Sequence, residues 1–117
     1  MREQYMKCAE TLLDFIRRSP SCFHAVDNLK TMFEAAGSVH LSETEEWKLE
    51  PGKRYYVTRN DSSVIAFAVP KNPEKIKGFH MIASHSDSPC FKVKESAESV
   101  AENRYVKLNT EGYGGMI

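Results

Sequence analysis

The chain has 117 residues, enough for one modest hydrophobic core, and its 16 basic side chains balance 16 acidic ones. A zero net charge with 27% charged and 41% apolar residues is ordinary for a globular protein and lacks the basic excess of a nucleic-acid footprint. No apolar run approaches the length that spans a bilayer, and the opening MREQYMKCAE has no apolar core of a secretory signal, so neither nucleic acid nor membrane is an expected partner.

From Gln4 to Arg18, Tyr5, Cys8, Ala9, Leu12, Leu13 and Ile16 recur at helical spacing and predict a helix with one apolar stripe. Ser19-Pro20 ends it, because the residue before proline avoids the α region. Ser21 offers a side-chain oxygen to cap a second helix, whose buried face is Phe23, Val26, Leu29, Met32, Phe33 and Ala36, and Gly37 is its expected stop. The short connection makes the two helices antiparallel neighbours. His24 in the first turn is a site candidate or a local hydrogen-bonding group, and His40 is a weaker candidate.

The period then changes. Glu46–Glu50 alternates polar and apolar like a half-exposed strand, and Pro51-Gly52 reads as a turn. Arg54–Arg59 and Ser63–Val69 are rich in β-branched and aromatic residues, with Asn60-Asp61-Ser62 as the hairpin turn between them. Trp47, Tyr55 and Tyr56 suit cross-strand packing better than a stacking platform for bases or sugars. Pro70–Lys77 is a charged surface connection. The apolar run Phe79–Ala83 reads as a central buried strand, with His80 packed inside it. Left with an open edge, such a strand favours self-association through the sheet.

That run leads straight into Ser84-His85-Ser86-Asp87-Ser88-Pro89. At the carboxyl end of a strand, where α/β proteins bind ligands, side chains two apart project to the same side. His85 and Asp87 therefore suit a metal-binding imidazole with a carboxylate to orient it. The same residues also suit a turn in which Asp87 and Ser88 cap the next segment. After Pro89, Phe91–Lys94 alternates again, Glu95–Glu102 reads as a loop or short helical turn, and Arg104–Leu108 as a strand. Gly114-Gly115 reads as a turn with something still to come beyond Met116-Ile117. The three cysteines, Cys8, Cys22 and Cys90, have no paired spacing; they suggest a reducing cytoplasm and small buried side chains, with Cys90 a minor nucleophile candidate. Neither glycine-rich phosphate motif is present.

Several blocks, in order, carry a resemblance: LDFIRRSPSCFHAV (Leu13–Val26), EWKLEPGK (Glu46–Lys53), YYVTRNDSSVIAF (Tyr55–Phe67), ASHSDSPCFKVK (Ala83–Lys94) and YVKLNTEGYGGMI (Tyr105–Ile117). Together they resemble the opening portion of the aspartyl aminopeptidase family, dizinc exopeptidases that include the yeast-type vacuolar aminopeptidase I. Ser86 stands where that family more often has threonine, and Cys22 where it often has proline; neither change touches the metal chemistry. The resemblance implies an α/β fold in which two N-terminal helices pack on a mixed sheet. It implies that His85 binds one of two zinc ions and that Asp87 orients this imidazole as part of the catalytic apparatus. Manganese or cobalt would suit the same donors. The remaining ligands and the glutamate base would lie beyond Ile117. Residues 1–94 would belong to the catalytic domain and 95–117 to the start of an inserted domain that drives homo-oligomer assembly. The implied substrates are peptides with a free N-terminus, acidic in many members and neutral or apolar in others. By itself the chain is expected to bind zinc weakly and to be inactive; the alternative is a non-catalytic module that assembles with full-length subunits.

Overall fold

The computed structural model describes residues 2–115. They form two compact units that divide between Asp87 and Ser88. The first contains helices α1 (Arg2–Arg18) and α2 (Cys22–Ala35), strands β1 (Val39–His40), β2 (Arg54–Arg59) and β3 (Ser63–Ala68), and one turn of 3-10 helix at Pro73–Lys75. β1 runs parallel to β2 and β2 antiparallel to β3, so the sheet is mixed, as expected.

Local chemistry explains the helix ends. Ser21 occupies the N-cap position in extended backbone, but its hydroxyl does not cap the helix as predicted; it bonds His24 Nδ1 at 2.8 Å instead. At the other end Gly37 takes φ +78, which a side chain would resist. Its N–H donates to Glu34 O at 2.9 Å and the next, from Ser38, to Phe33 O at 2.9 Å, so two terminal carbonyls are satisfied. The hairpin loop is the predicted one: Asn60 and Asp61 both sit in left-handed backbone, which their short polar side chains tolerate. Gly52 (φ +82) turns the chain ahead of β2, and its N–H bonds Val69 O at 2.9 Å.

α2 packs on the sheet and contributes Ala25 and Val26 to the core, against Tyr55, Tyr56 and Val57 of β2. α1 meets α2 but not the sheet. Its predicted stripe is present at the right spacing yet stays exposed at Tyr5, Leu12, Leu13 and Ile16, because no described element covers it.

Two predicted strands do not form. Glu46–Glu50 joins no strand ladder; Trp47 instead donates Nε1–H to Ser42 O at 2.7 Å and stacks on Phe67. Phe79–Ala83 is irregular chain with Phe79, Met81 and Ile82 exposed, and His80 is exposed rather than packed. A parallel strand needs neighbours on both sides to satisfy its backbone, and the described residues supply none. In the other direction, the two-residue β1 escaped sequence reading because its pairing with β2 is non-local.

The second unit is one long hairpin, β4 (Cys90–Ala101) and β5 (Tyr105–Tyr113). The loop expected over Glu95–Glu102 is mostly strand, with Glu102 and Asn103 forming the turn at left-handed φ. Register shifts between Val93 and Glu98, where Asn109 Nδ2 donates to Ser96 O at 3.1 Å. Cross-strand pairing places Phe91, Val93, Val100, Val106 and Leu108 on one face, all exposed. Cys90 and Cys8 are exposed and Cys22 is half-buried, contrary to the buried thiols expected. Met116 and Ile117, the apolar pair ending the predicted glycine-rich turn, lie outside the described residues.

Candidate functional site

Ser84–Asp87 is the last stretch of the first unit and touches the β2–β3 turn through Ser86. His85 Nδ1 lies 3.2 Å from Asp87 Oδ1, so the two side chains predicted to cooperate are brought together. The imidazole is 93% exposed and the carboxylate 38%. An Nδ1–H donated to the carboxylate leaves the Nε2 lone pair on the opposite side of the ring, facing solvent. Ser86, between them, is half-buried and donates its hydroxyl to Ser62 O at 3.0 Å. This contact spans 24 positions and has no signature in sequence.

Ser62 belongs to a braced turn. Its N–H donates to Arg59 O at 3.2 Å. Arg59 grips Glu43 with two bonds, Nη2–Oε1 at 2.6 Å and Nε–Oε2 at 3.2 Å. That hydrogen bond holds the Glu43 carboxyl below, and the Arg59 guanidinium above, its ordinary pKa. Asp61 faces Lys30 of α2 at 3.9 Å.

The other candidates are placed elsewhere. His24 is engaged by Ser21, and His40 stacks on Tyr56 with centroids 4.9 Å apart. Tyr55 and Tyr56 are buried, which makes them core residues, not a stacking platform. Among the described residues no three His, Cys, Asp or Glu side chains gather so as to hold a metal ion. The His85–Asp87 pair suits one corner of a zinc site; the remaining corners are not formed by these residues. An apolar cleft of about 360 Å³, lined by Leu49, Phe67, Val69, Pro73, Ile76 and Phe79, was not foreseen either. No described helix is long and apolar enough to cross a membrane.

The first unit is thus an α/β arrangement that presents an imidazole–carboxylate pair after its hairpin. The solved complex of Ape4 and Nbr1 matches 92% of this chain with a TM-score of 0.86 and 43% identity, using 21% of that chain. The S. cerevisiae mApe1 dodecamer matches 97% with a TM-score of 0.83 and 28% identity, using 27% of that chain. A probable M18 family aminopeptidase 2 of Clostridium novyi is 47% identical over 112 residues, 96% of this chain and 26% of the relative. The model of the aminopeptidase I zinc metalloprotease (M18) family matches residues 15–117, and the chain belongs to that family. It spans about a quarter of the length of the curated relatives it matches.

Proposed function

We propose that the chain is the N-terminal part of a zinc-dependent aminopeptidase, that His85 ligates one of two zinc ions, and that Asp87 serves catalysis by orienting this imidazole. The observation that carries the reading is the His85–Asp87 pair at 3.2 Å, with the far side of the ring open. Asp87, in contact with Nδ1, orients the ring and leaves Nε2 for the metal. Bound zinc would polarise the scissile carbonyl and lower the pKa of a water molecule. Substrates are peptides with a free N-terminus, their first residue acidic or neutral to apolar. The dodecamer of mApe1 supports a homo-oligomer, with residues from about 95 onward entering the assembly domain, and the cysteine pattern supports a cytoplasmic setting. One imidazole and one carboxylate are fewer donors than catalytic zinc uses, so the chain alone is inactive in this reading.

The test is a chimera in which this chain replaces the matching segment of the Clostridium novyi relative. It is expected to contain zinc and to hydrolyse aminoacyl p-nitroanilides, and H85A is expected to lose both. Full zinc content and activity in the H85A chimera would overturn the assignment. A folded, zinc-free, inactive chimera, with the isolated chain co-purifying with the intact relative, would favour the interaction module.

A further inference from the structure

We infer that Ser86 is a positioning residue: its hydroxyl fastens the segment to the hairpin turn and so keeps His85 and Asp87 paired and facing outward. The inference rests on the reading of His85 as a metal ligand. Between Lys77 and Asp87 the backbone belongs to no helix or strand, so regular structure does not fix the orientation of His85. His85 and Asp87 are bonded to each other across the single residue that separates them. The bond from Ser86 Oγ to Ser62 O at 3.0 Å acts on the backbone midway between them.

Its acceptor is well held. Ser62 closes the tight turn after Asn60 and Asp61, and Arg59–Glu43 braces one flank of that turn. Lys30, from α2, faces Asp61 on the other. Burial follows the same division: Ser86 is half-buried, whereas His85 is almost wholly in solvent. The middle residue of the His-x-Asp triplet is thus the one turned toward the body of the first unit, and its hydroxyl supplies the attachment. Removing a hydroxyl leaves a carbonyl that water can satisfy, so the expected loss is one of order at the site, with little loss of overall stability.

The tether is tested first without metal, in the 117-residue chain. Nitrogen-15 relaxation reads the backbone mobility of His85, Ser86 and Asp87. S86A is expected to raise the mobility of all three, and S86T to restore it. In the chimera, S86A is expected to weaken zinc affinity on the order of tenfold, as loss of an outer support does, with S86T again restoring it. An S86A chain with unchanged mobility over these residues would overturn the inference. So would S86A zinc affinity equal to that of the parent chimera while H85A abolishes binding. If H85A itself leaves zinc content unchanged, the ligand reading has failed, and the metal-free measurements decide the tether alone.

Discussion

Tyr56 donates its phenolic proton to Glu34 Oε1 across 2.5 Å, and this bond joins the central strand of the first unit to the helix above it. The ring is fully buried between Phe33 and His40. Tyr56→Phe keeps the ring and removes the bond; Glu34 can rehydrate, so the expected loss is about 1–2 kcal/mol, measured by urea denaturation.

The same phenol predicts an alkaline transition. Burial, reinforced by the Glu34 carboxylate, pushes its pKa up to about 12. In the unfolded chain it ionises near the ordinary value of about 10, so the folded state favours the protonated form. Its contribution is complete below pH about 10 and is lost as pH rises toward about 12. Unfolding free energy measured across that window should fall more steeply for the parent chain than for Y56F.

Val26 is fully buried, whereas Leu12 of α1 is 58% exposed. Val26→Ala should cost about 2 kcal/mol, and Leu12→Ala less than about 0.5 kcal/mol. Chemical denaturation of both variants checks the contrast, and equal losses would mean that α1 is covered in solution.

An alanine Cβ at Gly37 would meet nothing within 4 Å, so any cost there is conformational. Gly37→Ala forces a side chain into left-handed backbone and should lose about 1 kcal/mol in the same assay, and Gly37→Asn less.

Phe79, Met81 and Ile82 are exposed, and β3 pairs with β2 alone among the described strands. Open edges and apolar surface recruit other chains. The sedimentation coefficient should therefore rise with protein concentration, and Ile82→Asp should reduce the rise.

Features written in neighbouring residues were legible in the sequence. The helix ends at Ser19-Pro20 and Gly37, the hairpin around Asn60-Asp61 and the His85–Asp87 contact all depend on residues a few positions apart. Phe79–Ala83 has the composition of a buried strand, but strand formation needs partners that composition does not provide. Glu95–Ala101 looks polar and loop-like, yet it is strand, and Glu98–Ala101 pairs with β5. The Ser86–Ser62 bond is silent in sequence for the same reason: its partners meet only after the hairpin has closed.

One asparagine closes the corner between the helices. Asn28 Nδ2 donates to Arg18 O at 3.0 Å and to Ser19 Oγ at 3.1 Å, while its Oδ1 accepts from Arg18 Nη1 at 3.2 Å. The first helix is thus clamped at its last residue while its apolar stripe stays exposed at Tyr5, Leu12, Leu13 and Ile16, like a beam built into a wall at one end. Its hydrogen-exchange protection should decline steadily from Arg18 back toward Arg2, and any surface that settles on its apolar stripe would stiffen the far end most.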